Sequence, residues 1–322
     1  MRVVSLLPSA TEIVYALGVE PVATSHECDY PPAADELPTV VESTIDTDAS
    51  SGDIDEQVRQ AEREGGVYEI DREALRAADP DLVIAQGICE VCAVDTVLVE
   101  EAIAELDLDC ELLTTDPHRL SDVFDDIHRI GVALDREAEA ADLLERLERR
   151  IERVVERVPA GVAGAVADDI DDPSGVDELP DVAVLDWLDP VMVAAHWMPE
   201  VATAAGGEYP LAETGERSRP REWVEILDVD PDVLVLSPCG FTLDRIEATL
   251  DDVRSRPGWD ELTAVQRASV FLMDGHNYVN RPGPRLIDTI EHLVGALHPD
   301  LTPDHCARPP SSAVRPLTTS QE

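Results

Sequence analysis

The sequence has 322 residues, 44% of them hydrophobic, so it is long enough to form two domains with buried cores. Its formal net charge is −45, and all 24 basic residues are arginine, which argues against nucleic-acid binding because little would neutralise the phosphates. The acidic residues are spread along the whole chain. This pattern is typical of a halophilic surface in a haloarchaeal, high-salt cytoplasm and gives no sign of a focused patch for a basic partner.

The first predicted elements are a strand over Arg2–Leu7 and a helix that starts near Ser9. The apolar run is interrupted by Pro8, Thr11 and Glu12, and no lipobox cysteine follows it, so it does not resemble a secretory signal. No apolar window reaches the ~18 residues that a membrane span needs. We therefore expect a cytoplasmic protein, which would be extracytoplasmic only if the start codon were misassigned.

An internal repeat organises the chain into two similar halves. "ADPDLVIAQGIC" (78–89) resembles "VDPDVLVLSPC" (229–239), since in both an Asp-Pro-Asp leads into an apolar strand that ends at a cysteine. More weakly, residues 2–18 resemble residues 181–207 as a strand, a proline loop and a helix that ends at glycine. Alternating strands and helices predict an α/β fold of two lobes with mainly parallel sheets.

A long helix is predicted between the two halves. Leu144, Leu147, Ile151, Val154, Val155 and Val158 recur at three- and four-residue steps and form one apolar stripe. The helix could be an ordinary surface helix of one lobe, but its position favours a single bridge between two lobes. The predicted organisation is an N-terminal lobe over 1–133, a bridging helix over 134–159, an acidic loop over 160–181, a C-terminal lobe over 182–298 and a disordered tail over 299–322.

Candidate ligand-binding residues follow the predicted strands, because parallel α/β sheets bind ligands beyond the carboxyl ends of their strands. Five aromatic residues, in a chain that is only 4% aromatic, fall in these segments and predict an apolar-walled pocket, although packing is the alternative for each one. The expected ligand contacts are Pro8, Ser9, His26, Tyr30, Gly87, Cys89, Trp187, His196, Trp197, Cys239, Gly240, Phe241, His276, Asn277, Tyr278 and Arg281. No phosphate-binding loop, GxSxG or HExxH motif is present, so we predict no catalytic residues.

Four cysteines also follow predicted strands: Cys28, Cys89, Cys92 and Cys239. The Cys-x-x-Cys at 89–92 fits a redox pair, part of a zinc or iron–sulfur site with the other two, or thiols that line a pocket. A cytosolic chain keeps its thiols reduced, so a disulfide is not expected. We expect Cys28 near Cys89 and Cys92 at the pocket rim, with no cofactor required. The alternative function is a cytosolic metal-, iron–sulfur- or redox-dependent enzyme.

Several of these segments together resemble a known family. "VVSLLPSATEIVYALG", "DPDLVIAQ", the long helix, "DPDVLVLSPCGF" and "PGWDELTAVQRASVFLMDG" look like the vitamin B12- and ferric-siderophore-binding proteins of ABC importers, over about residues 1 to 298. "HECDYP", "CEVC", "PCGF" and "NRPGPR" are similar to its cobalamin-binding branch. The resemblance implies two α/β lobes on one rigid helix, with the ligand held between them.

The resemblance also implies a ligand and a partner. The strand-end segments offer only Arg281 and Arg285 as cations, so a corrinoid of low net charge such as cobalamin fits better than an anionic siderophore, with haem and cobinamide left open. The family docks on an ABC permease through one glutamate of each lobe, seven residues before the proline of Pro-Asp. Glu73 matches that position, whereas Val224 stands at the second one, with Glu222 and Glu225 nearby. We expect a monomer that does not span the membrane.

Overall fold

The computed structural model of the protein describes residues 1–64, 66–88, 94, 96–158, 179–301 and 312–317. The chain divides into two compact units. The first contains residues 1–117 and 121–146, and the second contains residues 118–120 and the chain from Leu147 onward. Three residues of the second unit therefore interrupt the sequence of the first.

The first unit is built on a six-stranded sheet with the strand order β4-β3-β2-β1-β5-β6. All neighbouring pairs are parallel except β3 with β4, as expected for strands connected by helices. β1 and β5 are buried along their whole length, which explains their unbroken apolar sequences. The strands are β1 (Val3–Ser5), β2 (Ala23–Ser25), β3 (Thr39–Ser43), β4 (Tyr68–Ile70), β5 (Leu82–Gln86) and β6 (Glu111–Thr115).

Five helices and a short 3-10 helix cover the first sheet. Proline at the first position of α1 has the fixed φ that a helix start needs, and Asp71 caps α3 by accepting the amide protons of Glu73 and Ala74. The elements are α1 (Pro8–Ala16), the 3-10 helix Pro32–Glu36, α2 (Ser51–Glu64), α3 (Arg72–Ala78), α4 (Thr96–Leu106) and α5 (Leu120–Ala133).

The second unit also has a six-stranded sheet, with the order β12-β11-β10-β7-β8-β9. Its centre, β7-β10-β11, is parallel, but the pairs β7–β8, β8–β9 and β11–β12 are antiparallel. The expectation of mainly parallel sheets therefore holds for the first unit, and the second sheet is mixed. The strands are β7 (Val182–Leu188), β8 (Val191–Val193), β9 (Arg219–Pro220), β10 (Val233–Leu236), β11 (Val270–Met273) and β12 (Val314–Pro316).

The mixed character of the second sheet has a simple cause. Only two residues connect β7 to β8, and so short a link can close only an antiparallel hairpin, because a parallel pair needs a crossover. The helices of this unit are α7 (Met198–Ala204), α8 (Trp223–Val229), α9 (Leu243–Ala248), α10 (Asp251–Arg254), the 3-10 helix Trp259–Glu261, α11 (Thr263–Gln266) and α12 (Leu286–Leu297).

The long helix α6 spans Glu137–Val155, inside the predicted range 134–159. The chain passes from the first unit to the second within it, between Arg146 and Leu147. Its buried residues are Ala140, Leu143, Leu147 and Val154, with Val158 buried just beyond its end. The predicted stripe is thus present, but Leu144, Ile151 and Val155 are only half-buried because the buried face is centred on neighbouring residues.

The internal repeat appears as the same local structure in both units. α3 and α8 each end at an aspartate in the left-handed region, Asp79 with φ 45° and Asp230 with φ 48°. A Pro-Asp pair then leads into the buried strands β5 and β10. Aspartate tolerates this backbone conformation and proline cannot continue a helix, so the Asp-Pro-Asp sequence stops the helix and starts the strand.

Two predicted boundaries meet the structure only in part. Most of the predicted acidic loop, residues 160–178, lies outside the described residues, as do residues 302–311 and 318–322 of the predicted disordered tail. Within that tail, however, Val314–Pro316 form the edge strand β12, which pairs with β11. Among the described helices, none combines the length and the apolar character needed to cross a bilayer.

Candidate functional site

In the second unit, three strand-end loops lie side by side. The parallel register aligns Leu236 of β10 with Leu185 of β7 and with Leu272 of β11, so the loops that follow begin at the same edge of the sheet. The amide of Cys239 donates to the carbonyl of Asp186 at 3.0 Å. The sequence-based expectation that these segments face one edge is met within this unit.

The loop after β10 and the loop after β11 are joined by backbone hydrogen bonds. Gly275 N and His276 N donate to the carbonyl of Phe241 at 3.0 and 3.2 Å, and Gly240 N donates to the carbonyl of Gly275 at 3.3 Å. A Cβ atom on Gly275 would overlap the carbonyl oxygen of Pro238. Glycine is therefore required at 275 for the close approach of the two loops.

Trp187, near the end of β7, and Phe241, in the loop after β10, form a small aromatic cluster. The two rings meet edge to face with centroids 5.3 Å apart, and the guanidinium of Arg245 lies 3.8 Å from the Phe241 centroid. Phe241 is 2% exposed, so it supports the neighbouring ring and does not itself line a surface. Trp187 is half-buried, and its indole N–H donates to the carbonyl of Asp189 at 3.1 Å. Beside them Cys239 is half-buried and Gly240 is exposed.

The loop after β11 is held by its own polar groups. Asp274 Oδ1 accepts the Asn277 amide at 2.8 Å, and Arg285 donates to Asn277 Oδ1 at 3.0 Å. Arg281 Nη2 lies 3.3 Å from His276 Nε2. Because a guanidinium can only donate, this contact requires that nitrogen of His276 to accept, which assigns its ring proton to Nδ1.

The predicted residues of this loop differ in burial. His276, Asn277 and Tyr278 are half-buried, whereas Arg281 is only 6% exposed. The ring of Tyr278 stands edge-on to that of His292, with centroids 4.8 Å apart. His276, Asn277 and Tyr278 are therefore partly accessible, and the buried Arg281 contacts the loop through His276.

Trp197 has a structural role that differs from its predicted one. It is 5% exposed, and its indole N–H donates to the carbonyl of Val279 at 2.9 Å. The side chain thus ties the start of α7 to the loop after β11. The ring is covered by its own unit in the described structure, and contact of Trp197 with a ligand stays a prediction. Its neighbour His196 is half-buried, stacks on the indole at 5.5 Å and contacts His118.

In the first unit, the predicted residues also follow strand ends. Pro8 begins α1 and is half-buried, Ser9 is buried, Tyr30 is 45% exposed, and Gly87 is exposed after β5. His26 Nδ1 lies 3.0 Å from the carbonyl of Val41, and its Nε2 lies 3.4 Å from Glu27.

The local charges set the protonation of His26. Burial lowers the pKa of His26, but the hydrogen bond and the charge of Glu27, with the Val41 carbonyl, outweigh it and raise the pKa above the usual 6.5. This imidazole therefore takes up a proton more readily than a free histidine, and it is already matched to an acidic neighbour.

The structure does not show the four predicted cysteines as one cluster within the described residues. Cys28 is 2% exposed and accepts the Thr11 hydroxyl at 3.1 Å, so it packs in the core of the first unit and does not lie at a rim as expected. Cys239 belongs to the second unit. Cys89 and Cys92 lie outside the described residues. Within the described part of the chain, no three His, Cys, Asp or Glu side chains are placed to hold a metal ion.

The predicted docking glutamates lie at the starts of α3 and α8. Glu73 is exposed in the first turn of α3. Glu222 caps α8, and Glu225 accepts the Glu222 amide at 2.9 Å while pairing with Arg221 at 3.3 Å. Glu225 therefore already has partners within its own unit, whereas the side chain of Glu73 pairs with no charged group among the described residues.

Sequence reasoning missed one residue of interest, His118. It follows β6, whose mixed sequence "ELLTT" gives a weak strand signal, and so this strand end was not among those considered. Applying the strand-end rule to β6 would have led directly to the segment Asp116-Pro117-His118.

Comparisons with known proteins agree with this architecture. A family model described as "Periplasmic binding protein" matches residues 3–167. A relative from Bacillus subtilis (strain 168), the "Uncharacterized ABC transporter substrate-binding lipoprotein YvrC", is 26% identical over 312 residues, which cover 93% of this chain and 80% of that protein.

Two solved structures show the same fold. The vitamin B12 binding protein BtuF of Vibrio cholerae is 22% identical, with a TM-score of 0.62, covering 92% of this chain and 96% of that one. A periplasmic heme binding protein from Pseudomonas aeruginosa is 19% identical, with a TM-score of 0.65, covering 99% and 95%. At such identities the similarity defines the fold and leaves the ligand open.

Proposed function

Because the chain belongs to the periplasmic binding protein family, we propose that it is a substrate-binding component related to ABC importers and that its ligand is a corrinoid of the cobalamin type. The observation that carries the choice of ligand is the half-buried Trp187, which packs against Phe241 beside the half-buried Cys239 and the exposed Gly240. A broad, mostly uncharged macrocycle could cover the indole and the exposed glycine together.

The charges of the second unit also favour a ligand of low net charge. Arg281 contacts His276, Arg285 donates to Asn277, and Arg245 lies over Phe241, so each cation nearest the aromatic cluster already has a role within its unit. A polyanionic siderophore would have to recruit these arginines away from their partners, at the expense of the loop that they hold. A corrinoid makes no such demand.

Equilibrium titration tests the proposal. The full chain, in multimolar potassium chloride, is titrated separately with hydroxocobalamin, cobinamide, haem and a ferric hydroxamate siderophore, with tryptophan fluorescence and visible absorbance as signals. We expect one corrinoid per chain, bound at least tenfold more tightly than haem or siderophore. Tighter binding of haem or siderophore would identify that compound, and not a corrinoid, as the ligand. No binding of any of the four compounds would refute the proposal.

A pair of variants connects the signal to the site. Trp187→Leu should weaken corrinoid binding about tenfold, which corresponds to ~1.4 kcal/mol, since it removes the half-buried indole. Trp223→Leu is the matched control, because Trp223 is also half-buried but stacks on Trp259 and donates its indole N–H to the Pro257 carbonyl. Equal loss in both variants would place the ligand elsewhere.

Three related expectations remain predictions. The relatives are named as substrate-binding proteins, which favours a binding protein over an enzyme, and the metal or redox alternative depends on Cys89 and Cys92 outside the described residues. Metal analysis of anaerobically purified protein tests that alternative.

The family implies a permease partner. Co-purification of an ABC permease with the wild-type chain and with Glu73→Arg would test docking. Cell fractionation would test the cytoplasmic location.

A further inference from the structure

Two imidazoles of the second unit face each other through the same ring atom. Nδ1 of His118 lies 3.1 Å from Nδ1 of His196, with the ring centroids 5.2 Å apart and the planes tilted by 32°. Both side chains are half-buried, so small solutes can reach them from solvent. We call these two residues the imidazole pair.

His196 is held firmly in this position. Its φ is +54°, a left-handed conformation that is uncommon for a residue with a side chain. Its amide donates to the carbonyl of Glu216 at 2.7 Å, and its own carbonyl accepts the amide of Gly215 at 2.9 Å. The ring also stacks on the buried Trp197. The surroundings therefore stabilise a strained backbone that directs this imidazole towards its partner.

His118 is held by the residues that follow it. The amide of Leu120 donates to Glu200 Oε2 at 2.8 Å, and Arg119 lies 3.5 Å from the carbonyl of Thr214. Each of these partners belongs to the same unit as His196, so both imidazoles are fixed to one body. Pre-positioned donors lose little entropy when they bind an ion.

The spacing of the pair suits a chelated cation. With metal–nitrogen bonds of about 2.05 Å, nitrogens 3.1 Å apart subtend roughly 98° at the metal, between the octahedral and tetrahedral angles. Imidazole is a preferred ligand of zinc, copper and nickel, whereas magnesium and calcium prefer oxygen. The strongly acidic chain also concentrates cations near its surface.

We propose that the imidazole pair binds one divalent transition-metal ion of the zinc, copper or nickel class. Among the described residues, no third His, Cys, Asp or Glu completes the site. In the metal-free protein, one Nδ1 donates to the other. When the ion binds, that histidine carries its proton on Nε2 instead, so that both Nδ1 lone pairs can bind the ion. The proposal does not rest on a corrinoid ligand, and His196 is also one of the expected contacts of that ligand.

The experiment compares four proteins: the wild-type chain, His118→Asn, His196→Asn and the control His128→Asn. Asparagine tolerates the left-handed backbone at 196, and His128 is exposed on α5 outside the pair. Each protein is stripped with chelator in multimolar potassium chloride and titrated with Zn²⁺. Metal held by other groups, including cysteines, is common to all four and cancels in the comparison.

We expect the wild-type and His128→Asn proteins to bind one more equivalent of Zn²⁺ than either variant of the pair, or to bind it at least tenfold more tightly. With Cu²⁺, electron paramagnetic resonance of the wild type should show coupling to two nitrogens, which is lost in both variants. Identical titrations in all four proteins would leave an adventitious ion only and overturn the proposal. If His196→Asn does not fold by circular dichroism, His118→Asn decides alone, because residue 118 has no backbone strain.

Discussion

At the scale of the single residue, Gly275 shows how closely the second unit brings two loops together. Replacing it with alanine would drive a methyl group into the Pro238 carbonyl, a rigid backbone atom that cannot rotate away. We expect Gly275→Ala to lower the free energy of unfolding by ~3 kcal/mol, as overpacking against backbone does. Chemical denaturation in high salt would measure it.

The neighbouring glycine provides the control for this prediction. Gly240 has φ +75° but open space where its Cβ would lie, so Gly240→Ala adds only backbone strain of ~1 kcal/mol. The two substitutions therefore separate steric overlap from conformational preference within one pair of loops. Equal losses in the two variants would contradict the close approach at Gly275.

His292 gives the second unit a dependence on pH. It is 7% exposed on α12, and neither ring nitrogen has a hydrogen-bond partner among the described residues. Burial lowers the pKa of His292, against the opposing charges of Asp288 and Glu291, while Arg150 lowers it further. The folded state thus keeps this ring neutral, and an unfolded chain protonates near the ordinary pKa of about 6.5.

The pH dependence of stability follows from the different proton binding of the folded and unfolded states. Below pH ~6.5 the unfolded state binds a proton at His292 and the folded state does not, so His292 lowers the free energy of unfolding as pH falls. Other groups act oppositely: burial raises the pKa of Asp126 to about 6, despite Arg129, so this carboxyl adds stability as pH falls towards 4. We therefore expect His292→Leu to lose less stability than the wild type between pH 7.5 and 5. Parallel stability curves would show that His292 has no such role.

At the scale of the element, β12 supports the candidate site from the edge of its sheet. The Asp274 amide donates to the carbonyl of Ala313 at 2.9 Å, and Asp274 in turn holds Asn277. Arg315 of β12 also pairs with Glu247 at 2.8 Å and Asp244 at 3.2 Å. The strand therefore fixes the point where the loop after β11 begins.

Deleting residues 312–322 should lower the free energy of unfolding by ~2–3 kcal/mol, as expected from about three backbone hydrogen bonds. The same deletion should speed amide exchange at Asp274. Deleting residues 318–322 alone is the matched control, because it leaves β12 in place, and should change neither quantity. Exchange at Asp274 that is equally slow in both truncations would show that β12 does not hold the loop.

The elements predicted best are those with strong local signals. β5 and β10 follow from Asp-Pro-Asp and an unbroken apolar run, which describe a helix end and a buried strand without reference to the rest of the chain. β8 and β12 did not follow from the sequence, since each has three residues and gains its hydrogen bonds only from a neighbouring strand. Such edges depend on tertiary context.

The candidate site was predictable to a similar degree. The strand-end rule led to the loops that hold Gly240 and His276, because backbone direction alone decides where a loop begins. Trp187 instead belongs to β7, because the hairpin with β8 extends that strand to Leu188. It could not tell that Trp197 and Phe241 would be covered, since their burial depends on how loops and helices pack around them. Strand-end position predicts where a residue lies, and packing decides whether a ligand can touch it.

At the scale of the whole molecule, most charged residues of the described chain lie on the surface, and the cores have the usual apolar composition. The buried residues of both sheets are mainly valine, leucine, isoleucine and alanine, as in any α/β protein. Within the second unit, Arg150 is paired with two carboxylates, Asp288 and Glu291. With a net charge of −45, arginines are too few to pair with most acidic groups, which fits the prediction of a high-salt setting.

The route of the chain through residues 118–120 matters most while the protein is being made. A ribosome releases the chain in order, so these three residues emerge before residues 121–146, the remaining part of the first unit. His118 cannot meet His196 until 78 more residues are translated, and Leu120 must wait 80 residues for Glu200. The nascent chain can complete its first sheet early. Residues 118–120, however, can pack into the second unit only after α7 has left the exit tunnel.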